Sequence, residues 1–416
     1  MTELSVRIGS SLHAVSQAEW NELIVTSDGV GDADNPFVDW RFLTALEDSG
    51  CAVAARGWLP CPFAVYSGRT LLAVAPAYIK QDSEGDFSRD WDWAAAAEQA
   101  RLSYYPKLVF CVPYTPVTGR RLLLRSQLSA SERQPIFAAL VHAARRFCQD
   151  QGIASMHVLF PTETQQRELT EQGLLPRVAF QYHWRNPGYR DPEEFYARFS
   201  SKRRNALKRE RAAAQTQGIS LRTIRGDEIA RDPATYADLA HALHSSTVEK
   251  LIWGRRWLNQ GFYRQLFSSH PDAIELVVAE RQGRVIAGAF NVASDVAMPS
   301  VRSADTVSQR RLYGRYWGCF EEHPFLHFNV CYYHSIDACI QRRVAIFEGG
   351  AGGEHKIARG FEPCETYSAH SFFDPRLEAA LRRHLQHERA ARTQAISAYR
   401  EQAPVLKTWS PEPAAD

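Results

Sequence analysis

The residues best equipped for chemistry fall in two short stretches. The first is Phe347-Glu-Gly-Gly-Ala-Gly-Gly-Glu-His-Lys-Ile-Ala-Arg-Gly-Phe361. A strand enters a loop carrying Gly349, Gly350, Gly352 and Gly353, the charged cluster Glu354-His355-Lys356 follows, and Arg359 lies beyond. Glycines let a backbone approach a substrate closely or take positive φ. Glu348, Glu354, His355 and Lys356 then offer a base, an acid or an oxyanion partner. The loop is not a Walker A motif, because no Gly-Lys-Ser/Thr occurs. It is not a dinucleotide fingerprint either, because Gly360 and Pro363 stop the long helix that motif must open. The alternative is a glycine-rich bend with surface charges. Function is favoured, since a glycine loop directly after a buried strand has no evident structural purpose.

The second stretch is Ser200-Ser-Lys-Arg-Arg-Asn-Ala-Leu-Lys-Arg-Glu-Arg211, where Lys202, Arg203, Arg204, Lys208, Arg209 and Arg211 stand against a single acid, Glu210. Guanidinium forks and ammonium groups grip phosphate oxygens without reading bases. A phosphate-bearing substrate is one reading and a solvated basic face on a connecting helix is the other. Asp191, Glu193 and Glu194 form an acidic first turn before it.

Weaker signals lie elsewhere. In Leu312-Tyr-Gly-Arg-Tyr-Trp317, strand alternation puts Tyr313, Arg315 and Trp317 on one face. Trp317 reads as core, while a buried Arg315 would need an anionic partner. Tyr313, Arg315 and Lys250 are taken as candidate substrate contacts, with Gly350, Gly352, Gly353 and Arg359. Tyr104-Tyr-Pro-Lys107 and the loop Pro113–Gly119 could hold phosphate or form a rigid turn, and the structural reading is favoured. His241/His244 and His384/His387 come without a carboxylate–histidine set, so no metal site is expected. There is no GxSxG elbow.

The elements that must position these residues repeat. Phe63–Tyr66 and Leu71–Val74 read as a hairpin turning at Ser67-Gly68-Arg69, and Lys107–Val112 as a strand. Ser131–Asp150 follows helical spacing with Phe137, Leu140, Val141, Ala144, Phe147 and Cys148 on one stripe, and Met156–Phe160 is the next strand. The second half gives Glu275–Ala279 and Val285–Phe290 as a hairpin, Leu312–Trp317 as a strand, His327–Arg342 as a helix and Val344–Phe347 as a strand. Pro375–Glu401 is a terminal amphipathic helix. Two copies of one α/β unit are expected, at residues 1–190 and 219–416, with 191–218 as a basic connecting helix.

Composition bounds the rest. The chain has 416 residues, a length that predicts two domains. Apolar residues make up 45%, enough core to exclude global disorder. The 49 Lys+Arg nearly balance 47 Asp+Glu, which excludes a histone-like or acidic-tail protein and makes any electrostatic site local. No stretch approaches the ~18 apolar residues of a membrane span. Met1–Glu22 lacks the apolar run of a signal peptide. The eight cysteines contain no CxxC and read as reduced thiols. A soluble cytoplasmic protein is expected.

Taken in order, YYPKL, PYTPVTG, SSKRRNALKRERA, LYGRYWG, LHFNVCYY and FEGGAGGEHKIARGF resemble the FemAB-like group of peptidoglycan biosynthesis proteins over nearly the whole chain. That group is similar to the Fem-type aminoacyltransferases of the GNAT acyltransferase superfamily. The resemblance implies two tandem GNAT-like domains, each a mixed sheet flanked by helices. It implies acyl transfer to an amine or hydroxylamine acceptor, with aminoacyl-tRNA as co-substrate and no bound cofactor. The basic helix would then hold tRNA phosphates through Lys202, Arg203, Arg204, Lys208 and Arg209. LHFE and EAGAQGEHK are usual in the group. Here Asn329 stands for the Glu, Gly349 for an Ala and Gly352 for the Gln, which points to a specialised member. Two alternatives are an acyl-CoA-dependent N-acyltransferase and a non-catalytic binding module on a transferase fold. Glu321–His327 lacks the spaced glycines of a pyrophosphate loop, which counts against CoA.

Overall fold

The computed structural model of the protein describes residues 4–24, 35–126, 128–250, 255–294, 310–402 and 406. The described residues form two compact units, the first from those up to 180 with 365–395 and the second from those between 181 and 364 with 396–402 and 406. This differs from the linear division the sequence suggests. The basic helix, Ser201–Thr216, belongs to the second unit rather than to a separate connector. Most of the terminal helix, Pro375–Gln402, belongs with the first. The cause is a pairing between distant segments. Ser368–Phe372 runs antiparallel to Ser155–Leu159. The helix after it lays Leu377, Leu381 and Leu385 against Trp93, Tyr104, Leu175 and Phe372. At roughly 1.5–3 kcal/mol per buried leucine, that contact is enough to assign the helix.

In the first unit Leu4–Ile8, Phe63–Ser67, Thr70–Ala75 and Leu123–Leu124 make an antiparallel sheet. Gly68, at φ +60°, turns its hairpin. Pro76 has no N–H for a ladder, and the chain changes partners there. Ala77–Lys80 pairs instead with Lys107–Phe110. The helix Ala130–Asp150 then crosses over to Ser155–Leu159, which runs parallel to Lys107–Phe110. Its first turn is closed by a capping box in which the Ser129 N–H donates to Glu132 at 2.8 Å, worth about 1 kcal/mol. Ile136, Phe137, Leu140, Val141, Ala144 and Cys148 form its buried face. Lys107 is fully buried, its ammonium 2.7 Å from Asp90 and 2.9 Å from Asp86. The Tyr104–Lys107 motif is therefore structural, as its sequence suggests.

The second unit repeats the order. Ser220–Arg225, Ile274–Arg281, Arg284–Ala293 and Arg311–Cys319 are successive antiparallel partners. Ile346–Glu348 lies parallel to Arg311–Tyr313. The intervening helix is not uniform: Leu326–Phe328 and His334–Arg342 are α-helical, and Asn329–Tyr333 forms a π turn between them. Pro233–Val248 packs on the strands where Gly318 carries no side chain. A Cβ there would sit 1.7 Å from the Leu243 carbonyl oxygen. The fold class is α/β, with hairpin, strand, helix and parallel strand in the same order in both units.

Candidate active site

The glycine loop begins where Ile346–Glu348 ends. A Cβ on Gly349 would lie 2.8 Å from the Phe361 ring, so only glycine fits without a shift. Gly350, Gly352 and Gly353 take φ of +80°, +74° and +90°. These left-handed residues fold the loop around one side chain. Lys356 is 3% exposed, and its Nζ donates to the carbonyls of Gly350 at 2.7 Å and Gly352 at 2.5 Å. It has no carboxylate partner among the described residues. Burial lowers its pKa to about 8. The carbonyls face the lysine, and among the described residues no acceptor meets the peptide N–H groups of Gly352, Gly353, Glu354 and His355. A loop with its oxygens turned inward and its N–H groups uncommitted suits a developing oxyanion.

Glu348 closes the strand before the loop and is buried. Its Oε1 accepts from Arg311 Nη1 at 3.1 Å. Across the antiparallel ladder stands His183, with Nε2 3.7 Å from Glu348 Oε2, beyond hydrogen-bond reach. Burial, then the charges of Arg185, Arg311 and Lys356, push the His183 pKa well below its ordinary value, so its imidazole is neutral. Tyr313, buried, is the parallel partner of Glu348.

Beyond the loop the side chains reach solvent. Glu354 is exposed and accepts from Tyr399 Oη at 2.6 Å. His355 is exposed, with Nε2 3.2 Å from Tyr332 Oη. Its pKa is lowered by partial burial and then by Arg359 and Lys356. Its ring centroid is 5.8 Å from Phe328, 5.9 Å from Tyr332 and 6.2 Å from His327.

The basic helix is capped by Ser200, whose Oγ accepts from the Arg203 N–H. Its cations divide by face. Arg203 donates to the Ala358 carbonyl at 2.6 Å and to Glu210 at 3.0 Å. Lys208 pairs with Glu193 at 2.8 Å, and Arg211 with Asp337 and Tyr196. Lys202, Arg204 and Arg209 make no ion pair among the described residues. Glu210 is a node. It also accepts from Arg359 at 2.8 Å and from the Tyr333 hydroxyl. Burial raises its pKa, but the Tyr333 bond and the charges of Arg359 and Arg203 outweigh this and hold it below the ordinary carboxylate value. Asn329 Nδ2 donates to the Glu210 carbonyl at 2.8 Å and to the Phe325 carbonyl at 3.1 Å. A glutamate there would face two acceptors with nothing to donate.

A family model described as FemAB-like, peptidoglycan biosynthesis/recognition, matches residues 11–407. The chain belongs to the FemAB-like family. This FemAB-like protein is a transferase of the acyltransferase type. No curated protein sequence matches it. Among solved structures it is similar to L-PGS from Bacillus licheniformis, at 9% identity and TM-score 0.44, covering 80% of this chain and 90% of that one. A tandem GNAT protein from the clavulanic acid biosynthesis pathway is similar at 13% identity and TM-score 0.43, covering 90% and 99%. FemX is similar at 9% identity and TM-score 0.46, covering 88% and 98%.

Of the expected site residues of this FemAB-like chain, Glu348, Gly350, Gly352, Gly353, Glu354, His355, Lys356 and Arg359 come together around the loop. Two others differ from expectation. Arg315 is half-exposed rather than buried, with its guanidinium 5.6 Å from the Tyr316 ring. The ladder skips a residue there, pairing Phe290 with Tyr316 and Asn291 with Gly314, so Arg315 sits on a β-bulge that breaks the alternation. Lys250 is exposed and lies at the far end of that strand, 2.9 Å from Glu322 and 3.7 Å from Cys319 Sγ. Sequence reasoning missed Glu210, Phe328, Tyr332, Tyr333 and His183. A lone acid inside a basic run was the one available signal for Glu210.

Proposed function

We propose that this protein transfers an aminoacyl group from aminoacyl-tRNA to an amine or hydroxylamine acceptor in cell-wall or small-molecule biosynthesis. The observation that carries the reading is the glycine loop wound around Lys356, with N–H groups that meet no acceptor among the described residues. The acceptor nitrogen attacks the ester carbonyl, and a C–N bond forms. The oxyanion is met by loop N–H groups and by the Lys356 charge. The intermediate collapses, the C–O bond to the ribose breaks, and the nitrogen's proton passes through His355 to the departing ribose oxygen. Among the candidate bases His355 fits best, as an accessible imidazole that is neutral near pH 7. Glu348 is buried against Arg311, and Glu354 is engaged by Tyr399. Positioning both reactants supplies much of the rate in such a reaction.

Lys202, Arg204 and Arg209 are the helix cations left for tRNA phosphates. Binding to tRNA then weakens with salt, by ~0.7–0.9 in the logarithmic slope per phosphate contact. Replacing the three by Ala is expected to flatten that slope by about 2. An unchanged slope removes the helix from the reading. Charged tRNA, and not acetyl-CoA, is expected to raise the melting temperature. The reverse result selects the CoA-dependent alternative.

A further inference from the structure

A group of rings stands beside the glycine loop without a role in the transfer chemistry. Trp317, His327 and Phe328 are each half-exposed. The Trp317 and His327 centroids are 4.8 Å apart, and those of His327 and Phe328 5.4 Å. Their floor is buried: Tyr332 lies 5.5 Å from His327 and 5.3 Å from Phe361, which lies 5.5 Å from Phe347. The cluster touches the loop through His355, the second residue after Gly353. Partly exposed rings on a rigid floor, next to a few polar groups, are the usual composition of a small-molecule subsite.

The surrounding charges define the guest. The ionisable groups acting on His327 are His355, Arg359 and Lys356, and none is an acid. The guanidinium of Arg359 lies 3.3 Å from the Phe328 ring centroid. The nearby carboxylates are already engaged: Glu210 by Arg203, Arg359 and Tyr333, Glu354 by Tyr399, and Glu348 by Arg311. A lysyl or arginyl side chain would meet the like charges of Arg359 and Lys356 here, and the one carboxylate beside the rings that no cation engages among the described residues is the exposed Glu354, held by the Tyr399 hydroxyl. A ring without charge would meet π faces and edges.

We propose that Trp317, His327 and Phe328 receive the side chain of the transferred aminoacyl group, and that this side chain is aromatic and uncharged. The inference rests on the aminoacyl-transfer reading and names the class of group transferred.

The test uses the full chain and three probes without a nucleotide: the N-acetyl amides of phenylalanine, alanine and lysine. The phenylalanine amide is expected to bind about tenfold more tightly than the lysine amide, in line with one added ring contact and its burial. Trp317→Leu removes that preference. His327→Glu, which places a carboxylate among the rings, shifts the preference toward the lysine amide. Equal binding of the three amides by the wild type overturns the proposal. So does a ranking unchanged in both variants. Adenosine displacing the phenylalanine amide also overturns it, because the rings would then hold a nucleobase. A preference for phenylalanine in a chain that binds no tRNA supports the subsite while the donor reading fails. Transfer from charged tRNA with no side-chain preference overturns the subsite alone.

Discussion

Lys80 and Lys107 are buried in the first unit and Lys356 in the second, and the last two are held in opposite ways. Lys107 is 0% exposed and Lys356 3%. Burial alone would lower both pKa values. Around Lys107 the charges of Asp86 and Asp90 outweigh burial and hold the ammonium above its ordinary value, with Ser83 accepting at 2.7 Å. Around Lys356 the hydrogen-bond partners among the described residues are the Gly350 and Gly352 carbonyls, and burial lowers its pKa to about 8. A compensated charge ties a core together and titrates far from neutrality. An uncompensated one is costly to bury and titrates near working pH, which is where charges that act on a reaction are found. Lys107 thus serves cohesion, and Lys356 is held as the proposed transfer requires.

The contrast breaks most visibly at Lys107. Lys107→Met leaves Asp86 and Asp90 buried and uncompensated, at a cost of about 3–5 kcal/mol. The denaturant midpoint should drop sharply, while activity per folded molecule stays near wild type. Adding Asp86→Asn and Asp90→Asn should recover part of the midpoint. Lys356→Met should do the reverse. It removes two N–H···O=C bonds, worth ~1 kcal/mol each, and also an uncompensated buried charge, so stability changes little. The loop loses its centre, and kcat/KM should fall about 10²–10³-fold, the scale of a lost oxyanion contact. If Lys356→Met instead unfolds the protein and the folded fraction keeps its rate, the two lysines are alike and the contrast is lost. Glu210→Gln should fall between them. Arg203 and Arg359 lose their shared anion, costing ~2 kcal/mol in chemical denaturation.

Local patterns carried much of this architecture, and long-range ones did not. The hairpins, the crossover helices and the parallel return strands follow from residue spacing and turn glycines. Nothing in the spacing signals that Ser368–Phe372 pairs with Ser155–Leu159, so the terminal helix reads as part of the segment it follows. The π turn at Asn329–Tyr333 shifts the helical phase by one residue. Tyr332 then meets His355 and Tyr333 meets Glu210, which a continuous helix over His327–Arg342 does not predict. Arg315 departs from the face that alternation predicts because a bulge leaves no mark in the alternation. The glycine loop is legible in the sequence as a candidate site, but the direction of its carbonyls is not. Lys356, read as an oxyanion partner, also holds the loop's shape.

The smallest effect separates those two roles of Lys356 by pH. Its folded pKa, about 8, lies below the ordinary lysine value of 10.5. Between these values the unfolded chain binds more protons than the folded one, so stability should rise with pH from about 8 to 10.5. A neutral amine keeps two N–H donors, enough for both the Gly350 and Gly352 carbonyls, so the loop should persist. What disappears is the charge that the proposed transfer uses at the oxyanion. The rate should therefore fall as pH rises through about 8 while the melting temperature edges upward, and Lys356→Met should show neither trend. A rate that stays flat across that window, with melting still rising, would leave Lys356 as the centre of the loop's fold and assign the oxyanion to the peptide N–H groups alone.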